Sequence, residues 1–344
     1  MQMLLNPYRG MDETVSVPAE VPYPSVAAER PRALLDRCPE AAMTPLSPAP
    51  KVAAKAGVAE VWIKDERSRM GLGSFKALGA AYVIAHDAAE GEISETTYVT
   101  ASAGNHGLSV AAGARLFGAK SVVYIAETVP EAFANRLRAE GAQVVRKGAQ
   151  YEEGMAAAAQ AAQANGWVLL SDSSWPGYTA RPHRLMEGYL ILMTEVFAQM
   201  EQAPSHIFLQ AGVGGLAGAA AAMARAEWGD GPQIIVVEPE AAPALMGSIA
   251  AGRSVVTEGP VSAMGRLDCK EPSLIALKGL ARDADLFLTI TETEAAEATA
   301  FLGTQGFETT PSGGAGLAGL LAASADLGLG AESRVLTILS EGPE

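Results

Sequence analysis

The chain has 344 residues, with 39 acidic and 25 basic side chains and a formal net charge of −14. This length allows two lobes with large apolar cores, since domains usually span about 100 to 200 residues. The negative charge, with no basic cluster, argues against a nucleic-acid partner or an anionic membrane surface. The start, MQMLLNPYRGMDET, has neither a signal-peptide core nor a spanning apolar segment, which predicts a cytoplasmic protein without membrane contact.

The cysteines and histidines do not form a metal-binding pattern. Cys38 and Cys269 lie far apart, and we expect two reduced thiols, with a single disulfide as the alternative. The four histidines are equally scattered along the chain. The sequence therefore predicts no metal site.

The predicted elements begin with a proline-rich arm over residues 17–46 that contains one short helix. Alanine-rich helical patterns then alternate with short apolar runs, which are typical of buried parallel strands. These runs lie near residues 61, 97, 121, 142, 167, 206, 233 and 335. The alternation predicts an α/β fold, and residues 311–331 predict a helix packed tightly in its interior.

Several of these runs are followed directly by polar or glycine-rich residues. In open parallel sheets, ligands bind at the carboxyl ends of strands, where loops and helix N-termini present N–H groups. The segments in question are 102–107, Asp172, 212–215 and Glu238. We therefore expect them to line one cleft.

The stretch SRMGLGSFKALGAA, residues 68–81, places Lys76 beside glycines and Phe75 at the start of a helical pattern. A solvated lysine requires no such setting, so Lys76 is a candidate reactive amine. The loop LQAGVGGLAGA, residues 209–219, contains a G-x-G-x-x-A pattern between a strand and a helix. Such a loop binds phosphate, and with Glu238 as a ribose ligand it would also fit a dinucleotide. An NAD-dependent oxidoreductase is therefore one alternative, but it leaves the setting of Lys76 unexplained.

A second loop, TASAGNHG at residues 100–107, suits a carboxylate because its N–H groups open a helix. An amine, a phosphate loop and a carboxylate loop together fit pyridoxal phosphate, which needs a lysine for its Schiff base and a phosphate cradle. The motif order resembles the class of tryptophan synthase β and threonine dehydratase, the fold-type II pyridoxal-phosphate enzymes. The motifs are S-F-K (74–76), S-A-G-N-H-G (102–107), G-V-G-G-L (212–216), V-V-E-P-E (236–240) and L-S-E-G (339–342).

Within this class, the chain is most similar to diaminopropionate ammonia-lyase, from about Pro45 to Glu341. The segments that carry this similarity are KDERSRMGLGSFKALG (64–79), DSSWPGY (172–178), MEGY (186–189) and CKEPS (269–273). The resemblance implies two three-layer αβα lobes with the active site in the cleft between them. Residues 1–80 and 190–344 would form the large cofactor-binding lobe, and 81–189 the small lobe inserted in it. It also implies a homodimer. Because the chain ends almost at Ser340, we expect no regulatory module after it.

The resemblance also assigns roles to single residues. Lys76, flanked by Phe75, would form the Schiff base and then move the α-proton, for which we expect its pKa to be lowered by burial. Asn105 would contact the cofactor 3′-oxygen, and the Ser340 hydroxyl would face the pyridine nitrogen, which favours elimination over transamination. The phosphate would bind Gly212, Val213, Gly214, Gly215 and Leu216. A helix cap for Asn105 and a strand-end turn for Ser340 are the alternatives.

The substrate side of the site would include Asp172 as a partner for an ammonium on the substrate β-carbon, with helix capping as the alternative. The other substrate-binding candidates are Ser102, Ala103, Gly104, His106 and Tyr178. In the ammonia-lyase an aspartate precedes the Gly-Asn-His-Gly motif and acts on the D-substrate, whereas this chain has Ala103. The resemblance therefore implies a lyase of amino-acid breakdown that favours L-2,3-diaminopropionate, and the alternative is a dehydratase of serine, threonine or hydroxyaspartate.

Overall fold

The computed structural model describes residues 1–11, 15–149 and 151–343, apart from the side chain at position 151. The strands of this part of the chain are β1 (Gln2–Leu5), β2 (Leu46–Pro48), β3 (Glu60–Asp65), β4 (Thr97–Ala101), β5 (Lys120–Ile125), β6 (Gln143–Arg146), β7 (Val168–Leu169), β8 (His206–Gln210), β9 (Gln233–Pro239), β10 (Leu286–Ile290) and β11 (Arg334–Leu339).

The helices in the same residues are α1 (Glu29–Leu35), α2 (Pro50–Ala56), α3 (Lys76–Glu90), α4 (Asn105–Leu116), α5 (Glu131–Ala139), α6 (Tyr151–Asn165), α7 (Ala180–Gln199), α8 (Gly215–Trp228), α9 (Ala244–Ala251), α10 (Leu274–Asp283), α11 (Glu292–Gly303) and α12 (Ala315–Ala323). A 3₁₀ segment, Glu66–Gly71, leads into α3. The predicted α/β class is confirmed, and each of the eight predicted runs contains a strand.

The strands form two sheets. The larger has the order β1-β10-β9-β8-β11-β3-β2, and the smaller has the order β6-β5-β4-β7. All neighbours in the smaller sheet are parallel. In the larger sheet only the edge strands β1 and β2 pair antiparallel with their neighbours. Both are short, and the sequence does not predict them: β1 precedes the proline-rich arm of residues 17–46, and β2 begins at its last residue. The short helix predicted within that arm is α1.

Each sheet is buried on both faces, which explains the continuous apolar runs. In β9, Ile234 and Val236 pack in one core, while Ile235 and Val237 pack in the other. In the smaller sheet, Val123 and Val122 likewise belong to different cores. Alternate residues of a strand point to opposite faces, so helices cover both sides of each sheet in three layers.

Helix α12 lies in the segment predicted to form a tightly packed helix. A Cβ atom at Gly319 would come within 2.6 Å of the Val237 side chain, so this approach to β9 requires glycine. In the described part of the chain, no helix is both long and apolar enough to span a membrane.

The two sheets are drawn from separate parts of the sequence. All strands of the smaller sheet lie between residues 97 and 169, and those of the larger sheet lie before and after it. This arrangement supports the predicted lobes, whose division stays a prediction. Its two limits, at residues 80 and 189, fall inside α3 and α7, which pack against each other.

Candidate active site

Lys76 is the first residue of α3, and the loop before it is fixed by the end of the chain. The Phe75 N–H donates to the Ser340 carbonyl over 3.2 Å, and the Gly342 N–H donates to the Gly73 carbonyl over 3.0 Å. These two hydrogen bonds bring the predicted amine and the predicted pyridine-facing serine together. Ser340 is 6% exposed, and its hydroxyl makes no hydrogen bond to another described residue.

The side chain of Lys76 forms an ion pair with Asp172, which follows β7. The Lys76 Nζ lies 2.5 Å from Asp172 Oδ2, and the two side chains are 22% and 17% exposed. Burial is the largest single influence on the pKa of Lys76 and lowers it, but the Asp172 carboxylate, together with Tyr189 and Cys269, outweighs it, so that the pKa is raised overall. Burial likewise raises the pKa of Asp172, and Lys76 and His106 lower it below its usual range. The expectation of a lowered lysine pKa is therefore wrong for this protonated pair.

The glycine loop, residues 212–216, follows β8 and leads into α8. Gly214 has φ of +95°, a left-handed conformation that favours glycine. A Cβ atom at Gly212 would lie 3.0 Å from the Cys269 sulfur, so the backbone is closely approached there. Helix α8 has no side-chain cap, which leaves its first N–H groups free for an anion.

The loop from Ser102 to Asn105 follows β4 and opens α4. The Gly104 N–H donates to Ser102 Oγ over 3.2 Å, and α4 also lacks a side-chain cap. A Cβ atom at Gly107 would lie 2.1 Å from the Ser102 carbonyl oxygen, so only glycine permits this turn. The N–H groups at the start of α4 are therefore available to an anion, and Ala103 packs against the core of the smaller sheet.

His106 is buried and acts in this loop as a neutral ring. Its Nε2 donates to the Leu170 carbonyl over 2.9 Å, while Nδ1 has no partner among the described residues. Burial lowers the pKa of His106. The Asp172 carboxylate raises this pKa, and the Lys76 ammonium lowers it further. The ring therefore links α4 to the end of β7 rather than carrying charge.

Asn105 is held by a residue that the sequence did not single out. Its Nδ2 donates to the Glu341 carboxylate, which also accepts from the Thr310 hydroxyl. The Arg266 guanidinium lies 3.7 Å from the same carboxylate. Glu341 is 5% exposed and therefore fixes Asn105 from the larger sheet, at the end of β11.

The loop after β7 is folded around Tyr178. Its hydroxyl donates to the Leu169 carbonyl over 2.8 Å and accepts from the Ser171 N–H over 3.1 Å. The ring stacks on Trp175 with centroids 4.3 Å apart. These contacts hold the loop that carries Asp172, so Tyr178 lies near the site with its hydroxyl already bonded.

Two further residues near Lys76 were missed as site residues, although both lie in segments that carry the family resemblance. Tyr189 belongs to MEGY, and its ring meets Phe75 edge-on at 4.9 Å. Cys269 belongs to CKEPS, and burial raises the pKa of its thiol to about 12. Both cysteines are free thiols. Among the described residues, no group of three metal-ligating side chains could hold a metal ion.

Glu238, the candidate ribose ligand of a dinucleotide, serves another purpose. It is fully buried and accepts hydrogen bonds from the Leu245 and Met246 N–H groups over 2.7 and 2.8 Å. Burial raises its pKa to about 8, against the effect of these two N–H groups. Glu238 thus caps α9, and the dinucleotide interpretation is wrong.

The remaining features together fit pyridoxal phosphate. The site offers a lysine amine, a closely approached glycine turn at an uncapped helix, and a buried serine hydroxyl beside the lysine. These are the amine, the phosphate cradle and the neutral ring partner that the cofactor requires.

Comparisons with known proteins agree with this arrangement. A family model described as pyridoxal-phosphate dependent enzyme matches residues 38–341. The diaminopropionate ammonia-lyase of Salmonella typhimurium is 31% identical over 289 residues, which cover 76% of this chain and 72% of that protein. The biosynthetic L-threonine dehydratase of Mycobacterium tuberculosis is 28% identical over 306 residues, which cover 87% of this chain and 67% of that protein.

Solved structures are similar over the whole chain. Diaminopropionate ammonia lyase from Escherichia coli, in complex with an aminoacrylate-PLP azomethine reaction intermediate, has a TM-score of 0.89 and 28% identity, covering 99% of this chain and 93% of that one. Threonine deaminase isoform 2 from Solanum lycopersicum shares the fold, with a TM-score of 0.82 at 20% identity. The match covers 100% of this chain and 94% of that one.

Proposed function

The chain belongs to the pyridoxal-phosphate-dependent enzymes and, within them, to the family of diaminopropionate ammonia-lyase, and we propose that it eliminates ammonia from L-2,3-diaminopropionate. Loss of the β-amino group, followed by hydrolysis of the remaining enamine with one water, gives pyruvate and a second ammonia. The similarity to the Salmonella typhimurium ammonia-lyase supports this substrate over the hydroxy amino acids of the more distant dehydratases.

The observation that carries the proposal is the contact between Asp172 and an ammonium group. The carboxylate already holds the Lys76 ammonium at 2.5 Å, so its position and charge suit a primary ammonium ion. When Lys76 is engaged elsewhere, the same carboxylate is free for the β-ammonium of the substrate. A β-hydroxyl carries no charge and gains less from this carboxylate.

Bound pyridoxal phosphate supplies an electron sink for the pair left at the substrate α-carbon when its proton is removed. The N–H groups of the loop 212–216, at the N-terminus of α8, would hold the phosphate. Asn105, which is fixed by Glu341, and Ser340, which is fixed beside Phe75, would orient the ring. Lys76 removes the α-proton at Nζ, and Asp172 keeps the departing group protonated.

The loop Ser102–His106 binds the substrate carboxylate through the free N–H groups at the start of α4. Ala103 in this loop cannot move a proton, so Lys76 is left as the base on one face of the substrate. We therefore propose that the L-form is preferred.

The test is release of ammonia and pyruvate by the purified holoenzyme from L- and D-2,3-diaminopropionate. L-serine, L-threonine and the hydroxyaspartates are measured alongside under the same conditions. The expected result is turnover of L-diaminopropionate at least about 100-fold faster than of the other compounds, a difference of about 2.7 kcal/mol in activation free energy. Turnover of hydroxy acids alone would establish the dehydratase alternative.

We also propose that the protein is a cytoplasmic homodimer. The free thiols of Cys38 and Cys269 fit a reducing compartment. Exposed apolar side chains, with Leu5 at 73% and Val261 at 88%, offer area for a subunit contact. Light scattering of the eluting holoenzyme would measure the mass, and a mass near that of one chain would contradict the dimer.

A further inference from the structure

Tyr189 has a hydroxyl whose surroundings differ from those of another buried tyrosine. The side chain is 2% exposed, and its oxygen has no hydrogen bond of standard geometry to a described residue, although the Lys76 ammonium is near enough to act on it. The Tyr98 hydroxyl, by contrast, donates to Asp87 over 3.0 Å. Because an unpaired buried hydroxyl costs free energy, such groups are uncommon and often have a partner in function.

The ring of Tyr189 places this hydroxyl between the two elements that carry the site. Tyr189 lies in α7, and a Cβ atom at Gly79 of α3 would come within 2.6 Å of its Cε1. A Cβ atom at Gly215, the first residue of α8, would lie 3.6 Å from its Cε2. Since Cε1 and Cε2 flank the carbon that bears the hydroxyl, the hydroxyl end lies between the Lys76 helix and the start of α8.

The charges that act on this hydroxyl are those of the catalytic pair. Burial raises the pKa of Tyr189, the Lys76 ammonium opposes that rise, and the Asp172 carboxylate adds to it. The net effect is a phenol that stays protonated at neutral pH. It therefore keeps an O–H donor as well as an acceptor oxygen next to Lys76.

Asp172 and Tyr189 can serve different protonation states of the lysine. An ionised carboxylate only accepts hydrogen bonds, so Asp172 stabilises the Lys76 ammonium far more than the neutral amine. Removal of an α-proton requires the neutral amine, which is stabilised by a donor. The Tyr189 O–H, which interacts with Lys76, can act as this donor.

We propose that Tyr189 is a positioning residue whose hydroxyl holds Lys76 Nζ after the lysine has left Asp172, by donating a hydrogen bond to the neutral amine. The proposal rests on the proposed elimination, in which Asp172 turns to the substrate ammonium and leaves Lys76 without its carboxylate. Tyr189 then keeps the free amine near the α-carbon as a base.

The test is Tyr189→Phe, which keeps the ring and removes the oxygen, with Tyr98→Phe as a matched control outside the site. Without this donor the neutral amine of Lys76 is less stable, so the pKa of Lys76 rises. The acidic limb of the plot of kcat against pH therefore moves up by about one pH unit. At neutral pH we expect a fall in kcat of about tenfold, with KM changed less than about twofold. Tyr98→Phe should leave the profile in place.

Two readouts separate this role from others. Cofactor affinity and the visible spectrum of the resting holoenzyme should be unchanged in Tyr189→Phe. A tenfold weaker affinity with an unmoved profile would assign the hydroxyl to the phosphate cradle and overturn the proposal, as would unchanged kinetics.

Exchange of the α-proton of L-alanine with solvent deuterium, followed by nuclear magnetic resonance, tests Lys76 without any leaving group. Slower exchange in Tyr189→Phe than in the wild-type enzyme supports the proposal, even if the wild-type enzyme does not eliminate ammonia from any diamine. In that case the proposed substrate fails and the role of Tyr189 stands. Equal exchange rates in the two proteins would overturn the role of Tyr189 alone.

Discussion

In the described part of the chain, the fully buried pair Lys64–Glu195 and the partly buried pair Lys76–Asp172 are alike in distance and different in surroundings. Lys64 lies 2.7 Å from Glu195, and Lys76 lies 2.5 Å from Asp172. The Lys64 ammonium also donates to the Thr44 carbonyl at 2.7 Å and to Gln199 at 3.0 Å. Its three donors are therefore all used, whereas in the described part of the chain Lys76 donates one side-chain hydrogen bond of standard geometry, to Asp172, with the Tyr189 hydroxyl nearby.

The other charged groups around Lys64 are also paired. Arg69 is fully buried and donates to both Glu66 and Glu195, so two cations face two carboxylates. Burial lowers the pKa of Lys64 despite Glu195, while that of Lys76 is raised. A shifted pKa therefore marks both sites, and the unused hydrogen-bonding capacity at Lys76 distinguishes the reactive one.

The largest expected effect is on catalysis, at the Lys76–Asp172 pair, where hydrogen-bonding capacity is unused. Lys76→Ala removes the amine that holds the cofactor and moves the α-proton, so ammonia release should fall at least about 1000-fold. Stability should change little, because Asp172 keeps 17% of its side chain exposed and water can solvate it. Steady-state assays and thermal unfolding of the cofactor-free proteins measure the two quantities.

A matched control for this variant is Lys120→Ala, which removes an exposed lysine paired with Glu95 at 3.2 Å. It should leave the rate and the visible cofactor band unchanged. Persistence of that band in Lys76→Ala would mean that another lysine binds the cofactor, and Lys76 would lose its assigned role.

At the Lys64–Glu195 pair, where every donor of the lysine is used, the expected effect is on stability instead. Lys64→Met leaves Glu195 short of one cation and two acceptors without their donor, in a site where the lysine is 0% exposed. Breaking a buried pair on one side costs about 3 to 5 kcal/mol, measured by denaturant unfolding. Lys51→Met at an exposed position should cost less than about 0.5 kcal/mol. A rate loss in Lys64→Met without a loss of stability would contradict the distinction between the pairs.

The fold was largely predictable because buried parallel strands leave continuous apolar runs. All eight predicted runs contain strands, and the positions of the glycine loops follow from them. The structure adds β10, whose run LFLTI the sequence interpretation passed over, and the short antiparallel edges β1 and β2. Edge strands of three or four residues carry too few side chains for a clear pattern.

The site was predictable only where residues are adjacent in sequence. Glycine turns, Lys76 and Ser340 carry local signals, and their assigned roles stay predictions. The partnership of Arg69 with Glu195, 126 residues away, has no such signal, because a charged residue in a sequence reads as exposed. Glu341 and Asn105 are 236 residues apart and meet only through the packing of the two sheets.

A smaller effect is expected for Asp172→Asn, which sharpens the comparison by removing charge and keeping shape. The variant should lower kcat/KM for L-diaminopropionate by about 100-fold, the weight of one buried charge pair. For a substrate with a neutral β-hydroxyl, such as L-serine, the loss should stay within about tenfold. Equal losses for both substrates would show that Asp172 acts on Lys76 alone and does not bind the β-ammonium.

The last expected effect concerns another buried carboxylate, Glu238, which contacts no cation among the described residues and is held by two N–H groups of α9. Its pKa is raised to about 8 by burial, whereas those of Asp172 and Glu195 are lowered by their cations against burial. A raised pKa means that the folded state favours the protonated acid. Its contribution to stability is therefore complete below the unfolded pKa of about 4.3 and is lost as the pH rises to about 8.

Glu238→Gln cannot ionise and keeps a carbonyl oxygen for the same N–H groups, so it isolates this titration. Wild type should lose roughly 3.5 kcal/mol of unfolding free energy relative to Glu238→Gln between pH 5 and pH 8, because the folded pKa is about 8 and the unfolded pKa is about 4.3. Glu240→Gln, two residues further at an exposed position, serves as the control and should run parallel to wild type. Denaturant unfolding across this range measures the difference. If wild type gained stability over Glu238→Gln as the pH rose, the N–H groups of α9 would outweigh burial, and a carboxylate in this interior would need no cation.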